Sequence, residues 1–128
     1  MIDHIGLAVT DFQRSRAFFT QALAPLSIRP VMEVTAEETG NAAHAGFGTD
    51  QKPFFWISSG GQAGPGVHVA LHAGSRAAVD AFFAAAMAAG GRDNGGPGLR
   101  PHYHPHYYAA FVLDPDGNNI EAVCHSPG

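Results

Sequence analysis

The sequence predicts an α+β fold: two tandem βαβββ units forming a curved mixed sheet with a central cleft. Three observations carry that prediction. The chain repeats itself at half its length, each half opens with strand-like alternation followed by helical spacing, and the composition is that of a folded globule. The 128 residues are 45% hydrophobic and only 14% charged, with 16 glycines and 9 prolines. That length suits one domain with one core, and the Gly and Pro content is below the range of disordered chains.

The repeat fixes the organisation. His4-Ile5-Gly6-Leu7 overlies His68-Val69-Ala70-Leu71, Ala17-Phe18-Phe19 overlies Ala81-Phe82-Phe83, and Leu23 overlies Met87. Farther along, Ala45, Phe47 and Asp50 overlie Ala109, Phe111 and Asp114. All these matches share one offset of 64 positions. Residues 1–128 therefore read as a single domain, with unit one at about 1–64 and unit two at about 65–128.

Each unit begins with a strand. Ile5, Leu7 and Val9 alternate with His4, Gly6 and Ala8, and Val67, Val69 and Leu71 alternate with His68, Ala70 and His72. Period-two alternation gives one bulky face, suited to a helix, and one small or polar face. The first helix is expected to start with Thr10-x-x-Gln13 as a capping box and to bury Phe12, Phe19 and Leu23 before Pro25. In the second, Ser75 is the expected cap, Val79, Phe82, Phe83 and Met87 the apolar stripe, and Gly90-Gly91 the stop. Extended segments follow at 28–35, 42–49 and 54–59, then at 107–113 and 119–124, the last two joined by Asp114-Pro115-Asp116-Gly117. A third strand of unit two, near 92–99, is interrupted by Gly95-Gly96-Pro97-Gly98, so a long loop is expected there.

Charge and composition exclude several roles. Seven basic against 11 acidic residues give a net charge of −4 with no basic run, which does not suit nucleic acid. The longest uncharged stretch, Pro53 to Ser75, is broken by glycines and a proline and is no membrane span. No export signal is read in the opening residues, and a single cysteine, Cys124, suits a reducing, cytoplasmic setting.

Eight histidines in so short a chain draw attention. His4 and His68 hold equivalent positions on the face opposite each helix, and both imidazoles enter a shared concavity if the sheets curve together. Glu121 lies inside an otherwise apolar strand, where a carboxylate is costly to bury unless paired or bound to metal. Two imidazoles and one carboxylate make a facial triad that holds a divalent metal and leaves positions open. Arg100-Pro101-His102-Tyr103-His104-Pro105-His106-Tyr107-Tyr108 reads as a loop closing over the cavity, with His104, His106 and Tyr108 as pocket candidates alongside Trp56. His44 and His72 are expected to be structural or surface residues, and Cys124 a small buried apolar one.

These features resemble the vicinal oxygen chelate superfamily, also called the glyoxalase, bleomycin resistance and dioxygenase superfamily. The resemblance spans nearly the whole chain and rests on His4-Ile5-Gly6-Leu7-Ala8-Val9 with Asp11, Ser15 and Phe18, on Val67-His68-Val69-Ala70-Leu71, and on Asp114 to Glu121. It implies that His4, His68 and Glu121 fall on three of four metal positions, with Fe, Mn, Ni, Co or Zn as the ion. The fourth position departs: the offset pairs Glu121 with Ile57, and a slip of one residue gives Trp56 or Ser58. Glyoxalase I-like members carry a second glutamate there, and extradiol dioxygenase-like members place a tyrosine where this chain has Phe111. The resemblance therefore implies a small metal-dependent enzyme acting on an oxygen-chelating small molecule, lyase or isomerase chemistry ahead of dioxygenase, in a homodimer. The alternative it allows is a non-catalytic protein that sequesters a ligand, as bleomycin resistance proteins do.

Overall fold

A computed structural model describes residues 1–40 and 42–128. Unit one runs β1 (Ile5–Ala8), α1 (Phe12–Leu23), a 3-10 turn (Ala24–Leu26), β2 (Arg29–Val34), a short helical turn α2 (Ala36–Thr39), β3 (His44–Thr49) and β4 (Lys52–Ser58). Unit two runs β5 (His68–His72), α3 (Arg76–Ala88), β6 (Arg92–Asp93), β7 (Gly98–Leu99), β8 (Tyr108–Leu113) and β9 (Asn119–Cys124). The expected weak third strand of unit two is two short pieces, β6 and β7, separated by the glycine-rich run.

The strands form two sheets with one plan. Unit one has the order β1-β4-β3-β2, and unit two has β5-β9-β8-β6 with β7 also on β8. The opening strand of each unit lies parallel to the closing strand, β1 to β4 and β5 to β9, and the other pairs are antiparallel.

Helix α1 begins one residue later than the capping box predicts. Asp11, not Thr10, is the cap, its carboxylate accepting the Arg14 N–H at 3.1 Å. Thr10 is engaged elsewhere: its N–H donates to the Asp116 carboxylate at 3.2 Å, and the Arg14 guanidinium lies 3.9 Å from the same group. The β8–β9 turn is thus clasped to the start of the other unit's helix. Ser75 caps α3 through the Ala78 N–H, as the sequence predicts. Met87, expected in the stripe, is 37% exposed, and Ala86 is the buried residue on that turn.

One continuous core joins both units, with Phe18, Phe19, Phe47 and Phe55 from the first and Val79, Phe82 and Ile120 from the second. Helices α1 and α3 pack on one another as well as on their own sheets. Gly91 allows this approach: a Cβ there would lie 2.4 Å from Val112 Cγ1 and 3.0 Å from Phe18 Cε1. A groove of about 650 Å³ has Ile5, Leu26 and Phe54 on one wall and Val69 and Leu71 on the other. Bulky residues of β1 and β5 thus line one groove, to which Ala70 and His72 also contribute, and His4 borders a separate recess with Trp56.

Candidate functional site

Unit two carries the more complete half of the site. Glu121 sits mid-strand on β9, in register with Ala70 of β5 and Phe111 of β8. Cross-strand partners share a face, so alternation places His68, Phe111 and Tyr107 beside it. Glu121 is only 1% exposed, and both its oxygens are engaged. His68 Nε2 lies 2.8 Å from Oε1, and the Tyr107 hydroxyl donates to Oε2. A buried carboxylate needs such partners. The Tyr107 hydroxyl is pushed up to about 12, first by burial and then by the adjoining Glu121. It is a neutral donor throughout the neutral range.

Aromatic rings hold Tyr107 in place. Tyr103, His104 and His125 meet its ring edge-on, with centroids at 4.8, 5.4 and 5.4 Å. His104 Nε2 is 2.6 Å from His125 Nδ1. His106 is exposed and contributes its backbone N–H to His104 Nδ1. Of the two loop histidines expected in the pocket, His104 thus packs behind Tyr107 and His106 stays in solvent.

Unit one carries a second half. His4, Gly6, Val34, His44 and Trp56 line an open recess of about 480 Å³. His4 Nδ1 is 2.7 Å from Asp3 Oδ1, and Lys52 Nζ is 2.6 Å from the same oxygen. The Lys52 hydrogen bond, then that of His4, holds Asp3 below the usual carboxylate range. An ionised Asp3 can only accept, so Nδ1 of His4 carries the proton, and in the neutral imidazole this tautomer leaves the lone pair on Nε2. This is the arrangement by which a carboxylate orients a metal-binding histidine.

The fourth position is now placed. Gly6 pairs with Trp56 as Ala70 pairs with Glu121, and Gly46 pairs with Trp56 as Phe111 pairs with Glu121. Trp56, not Ile57, is therefore the counterpart of Glu121. Its indole lies across Gly46, where a Cβ would come within 2.9 Å of the ring. Ile57 is fully buried on the helix face.

Within one chain the structure brings His68 and Glu121 together and leaves His4 on the outward face of the other sheet. Among the described residues, no group of three or more His, Cys, Asp and Glu side chains is placed to hold one ion. Tyr108 does not share the Glu121 face: its hydroxyl donates to Asp80 of α3 at 2.6 Å, and Arg76 lies over its ring at 5.2 Å. Tyr107, Asp3 and His44 are the site residues that sequence reasoning passed over. The pairing of Tyr107 with Glu121 was open to strand alternation, since 107 and 111 share a face when the strand is counted from Phe111.

Comparison with known proteins agrees with the fold. The family model described as Glyoxalase/Bleomycin resistance protein/Dioxygenase superfamily matches residues 1–122. A glyoxalase/bleomycin resistance protein from Albidiferax ferrireducens T118 is similar at 27% identity and a TM-score of 0.78, covering 98% of this chain and 99% of that one. A family enzyme from Burkholderia phytofirmans PsJN aligns at 18% identity and a TM-score of 0.69, over 97% and 98% of the two chains. Glyoxalase I from Zea mays aligns at 19% identity and a TM-score of 0.72, over 96% of this chain but 45% of its own. No curated protein sequence matches. No helix among the described residues is long and apolar enough to cross a membrane. The doubled βαβββ plan and the match along nearly the full chain lead to one conclusion: this protein belongs to the glyoxalase/bleomycin resistance protein/dioxygenase superfamily.

Proposed function

We propose that this chain is a small metal-dependent, glyoxalase-like enzyme whose site forms across a homodimer. His68 and Glu121 of one subunit would meet His4 of the partner subunit. The supporting observation is Glu121 itself, a carboxylate 1% exposed on a helix-free sheet face and adjoining an imidazole. The donor set fits a divalent ion, because the Nε2 of His4 is left free by Asp3 and the carboxylate already lies against His68. An ion bound there supplies Lewis-acid stabilisation to a substrate that chelates it through oxygen atoms.

The chain's own residues define the rest. Tyr107 holds a proton at Oη beside Glu121, suited to donation towards an oxyanion. Trp56 stands where a second carboxylate would be and supplies an apolar wall rather than a base. His44, in the same recess, is the imidazole of that half outside the proposed ligand set. This set favours lyase or isomerase chemistry with an imidazole, not a second glutamate, moving the proton.

Trp56 also favours a second reading, a sequestering protein with an aromatic wall. Titration of metal-free protein with Ni²⁺, Mn²⁺ or Zn²⁺ separates the two. The enzyme reading expects one ion per chain and a raised melting temperature. A melt that no divalent ion shifts supports sequestration.

A further inference from the structure

A cation stands on the same sheet face as Glu121 and has no role so far. Arg100 follows β7 and pairs with Tyr107, its N–H donating to the Tyr107 carbonyl at 2.7 Å. Its guanidinium donates to the carbonyls of Gly98 and Gly96 at 2.7 and 2.8 Å. The Cζ lies 5.3 Å from the centroid of the Phe111 ring, and the His68 ring lies 6.3 Å from that same centroid. Phe111 is the direct register partner of Glu121. One aromatic ring thus carries the candidate metal-binding imidazole on one side and a fixed cation on another.

The guanidinium is positioned yet electrostatically unspent. None of the ion pairs among the described residues involves Arg100. Its two carbonyl bonds use two of five N–H groups. The loop is shaped to keep it there: Gly95 has φ +139°, and a Cβ at that position would lie 3.1 Å from Phe111 and 3.3 Å from Arg100 Nη2. A half-buried arginine clamped by backbone carbonyls has little rotamer freedom left to lose, and its fork matches a carboxylate.

We propose that Arg100 is the anion-recognising residue of this site, so that the substrate carries a carboxylate group separate from the oxygens that meet the metal. This inference rests on the metal-dependent reading above and names the substrate class within it. The preferred ligand is a small dianionic oxo- or hydroxy-acid rather than a monoanionic one.

The test compares 2-oxoglutarate, which has a carboxylate remote from its chelating oxygens, with pyruvate, which lacks one. Both are titrated calorimetrically into Ni²⁺-loaded wild type, Arg100→Gln and Arg100→Lys. The expected result is a roughly tenfold to hundredfold loss of 2-oxoglutarate affinity in Arg100→Gln. Pyruvate affinity stays unchanged and Arg100→Lys retains an intermediate preference. Equal 2-oxoglutarate affinity in wild type and Arg100→Gln overturns the inference, as does a wild type that does not prefer 2-oxoglutarate over pyruvate. Melting curves and Ni²⁺ affinities of the three proteins, measured without either acid, show that fold and metal site are intact. Failure of Ni²⁺ to bind wild type falls on the metal-dependent reading alone. The comparison is then made on metal-free protein through the Arg100 side-chain N–H resonance, where a 2-oxoglutarate-specific shift supports anion recognition and its absence overturns it.

Discussion

His68 and Glu121 meet at 2.8 Å with opposite access to solvent: the imidazole side chain is 53% exposed and the carboxylate 1%. The carboxylate is fixed by its burial, and the imidazole bound to it stays half open to solvent. Glu121 is also not the poorly solvated group that an apolar strand would suggest, because His68 and Tyr107 occupy both of its oxygens. Removing its charge therefore disturbs a satisfied network.

Glu121→Gln is expected to weaken Ni²⁺ or Zn²⁺ binding by more than the roughly 10–100-fold typical of an outer-shell change. It should also lower metal-free stability by about 1–3 kcal/mol, since an amide cannot accept from two donors with both of its heavy atoms. Calorimetric metal titration and denaturant melts measure the two effects. Full metal affinity in this variant would remove Glu121 from the ligand set.

Asp3→Asn tests the orientation of His4. The amide accepts more weakly than the carboxylate and can present its NH₂ instead, so the imidazole loses the partner that keeps Nε2 unprotonated. Metal affinity should fall roughly 10–100-fold. The melting temperature without metal should hardly change, because the Asp3 and His4 side chains are 66% and 58% exposed. A fall in stability without a fall in affinity would mark the pair as structural.

Mixing variants tests whether the site spans two chains. His4→Ala and His68→Ala homodimers should each bind no metal tightly. In a mixed dimer, His4 of the second variant meets His68 and Glu121 of the first, which restores one site per dimer. Metal stoichiometry after co-refolding reads this directly. A sedimentation mass of one chain, or no restored binding, would rule out the shared site.

Tyr107 sets a pH window. Its folded value of about 12 lies above the ordinary tyrosine value of 10.0, so the native state favours the protonated hydroxyl. The stability this contributes is fully present below pH 10 and is lost as the pH rises towards 12. Absorbance titration of the three tyrosines should show Tyr107 ionising in that upper window, with Tyr108 also held above the ordinary value by its bond to Asp80, and Tyr107→Phe should remove the phase near 12. Ionisation of all tyrosines together near pH 10 would show that the Glu121 contact does not persist in solution.

Strand alternation and the repeat were enough to read the fold, but they placed the unit-one counterpart of Glu121 to within one residue only. The offset is 64 between His4 and His68 and 65 between Trp56 and Glu121. Irregular pairing of β2 with β3 at Pro30/Met32 and of β3 with β4 at Phe47/Gly48 accompanies this slip. One residue of slip turns a strand over. That is why the sequence offered Tyr108, which faces α3, when Tyr107 is the residue against Glu121. The clasp from Asp116 to Thr10 was illegible for another reason: it joins residues 106 positions apart through a backbone N–H, and no side-chain pattern encodes that.

Back-to-back helices have a consequence for how activity depends on concentration. Each chain presents two unlike half-sites on units joined by one core and by the Asp116 clasp, so a chain is a two-ended connector. On the dimeric reading proposed above, a twofold pairing closes on itself and would complete two sites at once. On that reading, dilution below the pairing constant would remove both together, and metal-binding capacity per chain would gauge association.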